Sequence, residues 1–133
     1  MAQLTLDQVY DLAYEALVRC GASAEQATHA AQSVRDAEAE GIRNVGLNYL
    51  PIYLGHLRHG KLDGNAQPTI IGQMGAVLQV DAAHGFCHTA FMHALKPFVS
   101  MTREMGIAVM SLQRSYSAGV LGWFNKLLAE EGL

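Results

Sequence analysis

The spacing of the apolar residues changes once along this chain, after residue 60, and this change constrains the fold most. Before it, apolar residues recur every three or four positions, as on one face of a helix. After it come short apolar runs of strand length, at 69–71 and 76–80. Since 133 residues is about the length of one ordinary domain, we predict an α+β chain with helices first, then a partial sheet with covering helices.

Capping signals divide the first half of the chain into three helices. Thr5 and Gln8 have the spacing of a capping box, in which each side chain bonds the other residue's backbone N–H. Ser23 and Gln26 repeat that spacing at the next start. A glycine follows each apolar stripe and supplies a left-handed stop. The predicted helices are Thr5–Gly21, Ser23–Gly41 and Pro51–Gly60, with a loop over 41–46.

The second half mixes strand and helix signals. Met74 and Gly75 split two apolar runs and predict a hairpin. Pro97 lies inside a helical pattern, where it removes a backbone hydrogen bond, so we expect a kink or a break there. The elements predicted after the hairpin are a helix over 85–105, a buried strand over 106–112 and a helix over 120–131.

A polar, turn-rich connector over 60–68 separates these two patterns. We therefore predict an N-terminal helical domain over 1–65 and a sheet domain over 66–133. Three strands leave sheet edges and faces uncovered, so we expect the second domain to be incomplete.

Charge and composition exclude several classes of function. The net charge is -3 and the 9 basic residues are scattered, whereas nucleic acids and anionic membranes bind clustered Lys and Arg. No signal peptide is visible in residues 1–7, and no apolar run is long enough to cross a bilayer. Cys20 and Cys87 have no partners at zinc-finger spacing, which predicts two ordinary thiols in a cytoplasmic protein.

Several patterns resemble functional motifs, and we interpret each as structural. Residues 55–62 begin like a phosphate-binding loop, but Leu62 stands where Ser or Thr would bind magnesium. His84 and His88 have helical spacing without converging ligands, so we predict no metal site. The remaining positions are predicted to be solvated, namely His56 and His59 near a helix end and Asp36, Glu38 and Glu40 as an acidic face.

Two loops combine polar and aromatic residues between glycines, at the ends of regular elements. Loop 1 covers 43–49 and loop 2 covers 113–119. Loops at the ends of regular elements carry binding sites more often than helix faces do. These loops are therefore the strongest candidates for a site.

The residues of both loops match known sequence motifs in their spacing. Gly41–Tyr53 follows Gly-x-Asp-Ser-His-Gly-Leu-x-Arg-Leu-Pro-x-Tyr, and Ser115–Gly119 follows Ser-x-His-Phe-Gly in its frame. In this the chain resembles the malate/L-lactate dehydrogenase family that is distinct from the Rossmann-fold dehydrogenases. The run Ser-Tyr-x-x-Gly-Val-Leu-Gly from Ser115 looks like a branch that includes sulfolactate dehydrogenases. The resemblance covers essentially the whole chain, while family members are more than twice as long.

The resemblance implies reversible hydride transfer between NAD or NADP and a 2-hydroxy acid, or its 2-oxo or cyclic imino counterpart, in a homodimer. It implies that this chain holds the N-terminal helices and the first part of the cofactor-binding domain. Association with a C-terminal segment is the alternative to a homodimer. The resemblance leaves the cofactor-binding residues unassigned.

At several functional positions of the family, this chain has a different residue. The family histidine that exchanges a proton with the substrate oxygen is replaced by Val45, which has no titratable group. General acid–base catalysis contributes roughly 10²–10⁴-fold to a rate, so we assign no catalytic residue and expect a severely slowed reaction. Tyr49 replaces an Arg that would pair with a substrate carboxylate, and Ser117 replaces a second histidine.

The candidate substrate-binding residues all lie in the two loops, and they are Arg43, Asn44, Tyr49, Arg114, Ser115, Tyr116 and Ser117. Among them, Arg43 and Arg114 are candidate replacement anion contacts. Tyr116 is a candidate substitute acid, although the ordinary pKa of a tyrosine, near 10, makes it a weak one.

Two hypotheses follow. The first is the N-terminal part of an NAD(P)-dependent oxidoreductase of malate, lactate or sulfolactate type, inactive as this chain alone. The second is a catalytically silent remnant that serves as a dimerising or partner-binding module. Hydride transfer after addition of a C-terminal segment would support the first hypothesis, and tight association without turnover would support the second.

Overall fold

The computed structural model describes residues 3–133 and has the predicted α+β architecture. Met1 and Ala2 lie outside the described residues. The parts of the signal-peptide and domain predictions that concern these two residues therefore lie outside the structure as well. The helices are α1 (Leu6–Arg19), α2 (Ala24–Ala39), a single 3-10 turn (Arg43–Val45), α3 (Leu50–Arg58), α4 (Cys87–Met105) and α5 (Leu121–Glu130). The strands are β1 (Thr69–Met74), β2 (Val77–Asp81) and β3 (Val109–Gln113).

The two N-terminal caps differ in how they are built. Thr5 and Gln8 form the predicted capping box at the start of α1. At the start of α2 the Ser23 hydroxyl accepts the Gln26 N–H at 3.2 Å. The prediction of a second bond, from the Ser23 N–H to the Gln26 side chain, is wrong. The buried Gln26 amide donates instead to the Ala66 carbonyl (2.8 Å) and accepts the Phe86 N–H (2.9 Å). Gln26 thereby ties α2 to the connector and to the start of α4.

The sheet has the order β1-β2-β3, with β2 in the centre. The predicted hairpin is confirmed: β1 and β2 pair antiparallel, and the turn between them contains Gly75 with a φ of +55°. β3 pairs parallel with β2, and α4 forms the crossover that such a pair requires. The prediction of a buried strand is wrong, because β3 lies at the sheet edge and exposes every second residue from Val109 to Gln113.

α4 runs as one helix through Pro97, so the alternative of a break into two pieces is wrong. Pro97 itself is exposed. Buried apolar side chains precede and follow it, namely Ala94, Leu95, Phe98 and Val99. Packing on both sides of the proline therefore holds the helix together despite the missing hydrogen bond.

The core joins the helical half of the chain to the sheet half. Phe86, before α4, is fully buried among residues of α1, α2 and α3, and α4 and α5 pack on α2 around Ala37 and Trp123. The predicted domain boundary at 65/66 falls in the connector between α3 and β1. No helix within residues 3–133 is long and apolar enough to cross a membrane.

Two smaller predictions have clear outcomes. Cys20 and Cys87 are both free thiols, as predicted. Of the predicted solvated acidic face on α2, Glu40 is exposed, but Asp36 is buried and lies 2.6 Å from the Arg35 guanidinium and 3.6 Å from the Lys126 ammonium.

Candidate functional site

Loops 1 and 2 meet on the side of α3. Tyr53 of α3 lies edge-on to Tyr49 of loop 1, with 5.0 Å between ring centroids, and edge-on to Tyr116 of loop 2 at 5.8 Å. All three rings contact the same core cluster. The structure thus brings together two loops that are some sixty positions apart in sequence.

The spacing of α3 explains which side chains face loop 2. Tyr49, Tyr53 and His56 stand at i, i+4 and i+7, which places them on one face of a helix. The Tyr116 hydroxyl and His56 Nδ1 form a hydrogen bond, and the two rings are edge-on with 5.5 Å between centroids. We call Tyr49, Tyr53, His56 and Tyr116 the Tyr–His cluster. The prediction that His56 is merely solvated is wrong.

Backbone pairing holds loop 2 in this position. Tyr116 N–H donates to the Gly85 carbonyl (2.9 Å), and the Tyr116 carbonyl accepts the Cys87 N–H (3.1 Å). Arg114 and Ser117 have φ values of +47° and +26°, which are unfavourable for residues other than glycine. Strained backbone of this kind persists only where its surroundings enforce it, and it clusters at functional sites.

The half-buried carboxylate of Glu38 holds loop 1. Glu38 of α2 accepts the Leu47 N–H through Oε1 at 2.7 Å. A Cβ at Gly46 would collide with that carboxylate, so the glycine allows the close approach. Glu38 is therefore a loop-positioning residue, and its predicted place on a solvated face is wrong.

Burial raises the pKa of both inner tyrosines. The pKa of Tyr116 rises to about 12, first because the ring is desolvated and then because Tyr49 and Tyr53 lie nearby. Burial also raises the pKa of Tyr53, against a hydrogen bond from the Ser117 hydroxyl that lowers it. Both phenols therefore stay protonated near neutral pH and act as neutral hydroxyl groups.

Arg114 of loop 2 lies against Asp81 at the end of β2. Its Nε is 3.0 Å and 3.1 Å from the two carboxylate oxygens, and its Nη2 also donates to Oδ2. The Arg114 hydrogen bonds, followed by the Ala83 N–H, lower the pKa of Asp81 to about 2. The side chain of Arg114 remains 53% exposed, so part of the guanidinium faces solvent while the rest is bound to Asp81.

The other predicted site residues lie at different distances from the Tyr–His cluster. Ser117 lies beside Tyr53 of the Tyr–His cluster and acts to lower the pKa of its phenol. Ser115 hydrogen-bonds Cys87 and lowers the pKa of its thiol, but burial outweighs this bond and raises it. Arg43 and Asn44 are exposed on the 3-10 turn. Arg43 lines a different cavity, of about 660 Å³, beside α1.

The Val45 side chain packs away from the Tyr–His cluster. It is half-buried against the apolar cluster that contains Ala37, Phe91 and Trp123. Loop 1 therefore presents a hydrocarbon side chain to α2, α4 and α5, and its aromatic end, Tyr49, to loop 2.

Residues that the sequence interpretation did not assign to the site include Tyr53, His56 and Asp81. The i, i+4, i+7 spacing of Tyr49, Tyr53 and His56 was the available signal for the first two. For Asp81 the signal was weaker: it ends a strand just before the turn into α4. Its partner Arg114 directly follows the neighbouring parallel strand, and the ends of parallel strands lie side by side.

A helix N-terminus that follows a strand is a common binding place for a dinucleotide pyrophosphate, so the turn from β2 into α4 is a candidate. Four successive backbone N–H groups of this turn are already bonded. His84 donates to Arg114, Gly85 to Ala82, Phe86 to Gln26 and Cys87 to Tyr116. The N–H groups of residues 84–87 are therefore not free to bind a pyrophosphate. Within the described residues there is also no group of three or more His, Cys, Asp or Glu that could hold a metal ion.

The structure is thus an α+β chain in which α3 brings two loops together, with hydroxyl and imidazole groups between them. The model of the malate/L-lactate dehydrogenase family matches residues 4–133. The chain belongs to this family.

Curated relatives cover a range of related reactions. The chain is 33% identical over 130 residues to an NADP(+)-dependent (2R)-3-sulfolactate dehydrogenase of Chromohalobacter salexigens, covering 98% of this chain and 39% of that protein. It is 33% identical over 131 residues to a Δ1-pyrroline-2-carboxylate reductase of Ancylobacter novellus, covering 98% and 38%. The chain thus spans less than two-fifths of the length of these relatives.

Solved structures share the fold. Malate dehydrogenase from Entamoeba histolytica superposes with a TM-score of 0.90 at 21% identity, covering 98% of this chain and 37% of that one. Sulfolactate dehydrogenase from Methanocaldococcus jannaschii gives a TM-score of 0.88 at 20% identity, covering 96% and 37%. The arrangement of helices and strands described above is therefore that of the corresponding part of these longer chains.

Proposed function

We propose that this chain forms the N-terminal helices and the substrate-facing loops of an NAD(P)-dependent oxidoreductase. Its substrate is a 2-hydroxy acid/2-oxo acid pair of malate, lactate or sulfolactate type. The observation that carries the proposal is the meeting of loops 1 and 2 at the Tyr–His cluster, in a chain of this family.

The chemistry of the cluster suits a small oxo acid. Tyr49, Tyr116 and Ser117 offer hydroxyl groups within one half-buried region. Hydroxyl donors can bind both a carboxylate and the neighbouring 2-oxo or 2-imino group. Arg43, Asn44, Arg114 and Ser115 are proposed as outer substrate contacts, and the solvent-facing part of the Arg114 guanidinium is the cation that loop 2 carries.

The proposed cofactor is NAD or NADP, which supplies or accepts the hydride. One relative is named for NADP(+), which supports a nicotinamide without deciding between the two. Because the N–H groups of residues 84–87 are bonded within the chain, the pyrophosphate is proposed to bind elsewhere. We place the reaction in the cytoplasm.

We also propose a homodimer or association with a C-terminal segment. An apolar groove of about 420 Å³ lies between α4, β3 and α5, lined by Phe91, Phe98, Leu112 and Phe124 among others. The outer edge of β3 is unpaired among the described residues. Exposed apolar grooves and open sheet edges are features that partners cover.

Steady-state hydride transfer tests the proposed function. The protein that carries this chain is mixed with NADH or NADPH and with pyruvate, oxaloacetate or the 2-oxo counterpart of sulfolactate, and nicotinamide absorbance is followed. We expect loss of the reduced nicotinamide that depends on a 2-oxo acid. Saturable binding of a partner with no turnover on any of these acids would instead support the silent binding module, which the hydrocarbon side chain at Val45 favours.

A further inference from the structure

We propose that His56 and Tyr116 form a two-residue proton relay to the substrate oxygen, which takes over the proton transfer that Val45 cannot perform. The relay rests on the proposed function, since it requires a 2-oxo acid held between loops 1 and 2. It assigns a role to His56, which lies outside both loops, near the C-terminal end of the α3 face that meets them.

The position of Tyr116 makes it the donor. Of the titratable side chains in loop 2, Arg114 keeps its proton at all ordinary pH values and is bound to Asp81. Tyr116 is the other, and its backbone is fixed on both sides by Gly85 and Cys87. A donor on a fixed backbone keeps its hydroxyl in one place as the substrate reacts.

The position of His56 makes it the proton source. Its Nδ1 is hydrogen-bonded to the Tyr116 hydroxyl, so a proton can pass between them without either residue moving far. His56 is half-buried near the end of α3 and is followed by the exposed residues Arg58 and His59. Water can therefore reach its ring and restore the proton after each turnover.

The proton balance is simple. During reduction, hydride from the reduced nicotinamide adds to the 2-oxo carbon, and the carbonyl oxygen gains the negative charge. The Tyr116 O–H bond breaks as the new substrate O–H bond forms, while the His56 Nδ1–H proton moves to the tyrosine oxygen. Imidazolium thus becomes neutral imidazole, and solvent returns one proton to it. Oxidation of the hydroxy acid runs the same transfers backwards.

The burial of Tyr116 is consistent with this role. Its pKa is raised to about 12, so the hydroxyl is fully protonated at neutral pH and can donate. The same elevation makes an isolated Tyr116 phenolate costly to form, which is why an adjacent proton source matters.

Nitrogen-15 NMR of the labelled chain tests the relay without any turnover. Tyr116→Phe keeps the ring but removes the hydroxyl, and we expect it to shift the Nδ1 resonance of His56. Tyr14→Phe removes a hydroxyl from the face of α1 and should leave that resonance in place. An unchanged His56 Nδ1 resonance in Tyr116→Phe would overturn the relay.

Kinetics of the protein that carries this chain provide the second test. Tyr116→Phe should lower kcat by roughly 10²–10⁴-fold, the usual range for loss of a general acid, with a much smaller change in KM. His56→Ala should lose activity that added imidazole restores, which a purely structural role would not produce. Tyr14→Phe and His59→Asn are the matched controls and should keep the wild-type rate.

The outcomes separate the two proposals. A wild-type protein that turns over, with a Tyr116→Phe rate within about twofold of it, overturns the relay and leaves the proposed function standing. A wild-type protein with no hydride transfer to any 2-oxo acid overturns the proposed function and the relay with it. Circular dichroism on each variant identifies any loss of rate that comes from unfolding.

Discussion

The His88 imidazole is stacked on the Phe124 ring, with 5.3 Å between centroids and 18° between planes. Trp123 closes another side edge-on at 5.1 Å. His88 is fully buried, and neither ring nitrogen has a hydrogen bond of good geometry within the described residues. Burial therefore dominates and lowers the pKa of His88 to about 4, although the nearby Ala118 carbonyl acts in the opposite direction.

The buried neutral His88 should make the fold sensitive to acid. Between the unfolded value of about 6.5 and the folded value of about 4, the unfolded chain binds the additional proton, so stability is complete above the first value and falls below it. The loss by the lower value is about 3 kcal/mol at 1.36 kcal/mol per pKa unit. We expect His88→Phe to remove this dependence, measured by urea unfolding near neutral pH and at the acid end of that window.

The control for that prediction is His93→Gln, since His93 is exposed on the same helix. It should keep the acid dependence of the parent chain. Identical pH profiles for His88→Phe and the parent would contradict the account of a buried, neutral imidazole.

Removing Arg114 should raise the pKa of Asp81. The pKa of Asp81 in the folded chain, about 2, lies below the ordinary value of 3.8, so the stabilisation is present above the higher value and lost as pH falls toward the lower one. In Arg114→Gln we expect the carboxyl titration, followed by carbon-13 NMR, to move upward but stay below the ordinary value. The Ala83 N–H still donates to Asp81 in that variant.

Arg103→Gln is the comparison for Arg114→Gln. Arg103 pairs with Glu131 on an exposed surface at 3.7 Å, and such pairs contribute little. The Asp81 titration should be the same as in the parent. If Arg114→Gln also leaves it unchanged, the bidentate contact is not formed in solution.

Gln26 should be among the most costly polar side chains to replace. Gln26→Leu would leave the buried Phe86 N–H and Ala66 carbonyl without partners. At about 1–3 kcal/mol for each of these two unsatisfied groups, we expect a loss of roughly 2–6 kcal/mol in the free energy of unfolding. Gln67→Leu, at an exposed position, should change it by less than about 0.5 kcal/mol.

Gly119 should be sensitive for two separable reasons. Its φ of +59° strains any other residue, and a Cβ there would stand 3.3 Å from Ser33 Oγ and 3.4 Å from both His88 Nε2 and the Tyr53 hydroxyl. Gly75 has a φ of +55° but open space around it. Both alanine variants should lose about 1 kcal/mol from backbone strain.

The additional loss in Gly119→Ala measures the crowding. We expect it to destabilise the chain more than Gly75→Ala does, in paired thermal melts. Equal losses would mean that the Ser33, Tyr53 and His88 side chains move aside without cost.

Local signals in the sequence predicted much of the fold. Caps, glycine stops and the hairpin turn act over a few residues, so their patterns identified α1, α2, α3 and the β1–β2 pair. Burial depends on what other segments cover, and this is why β3 was wrongly predicted to be buried and Asp36 to be solvated.

The candidate site was predictable only in part. The two loops were identified as candidate sites because they carry polar and aromatic residues between glycines. Their contact through Tyr53 and the bond between His56 and Tyr116 join positions far apart in sequence, and no local pattern encodes such a pairing. His56 has the ordinary spacing of a helix-end residue, so its partner could be found only once the chain was folded.

The central position of β2 has a consequence for how the chain assembles. Its antiparallel neighbour β1 follows through a tight turn, and hairpins of this kind close within about 1–10 μs. Its parallel neighbour β3 can dock only after all of α4 has crossed the sheet, which carries a larger entropic penalty of loop closure. We therefore expect β3 to be the last strand in place, with the order of events set by connectivity rather than by strand strength.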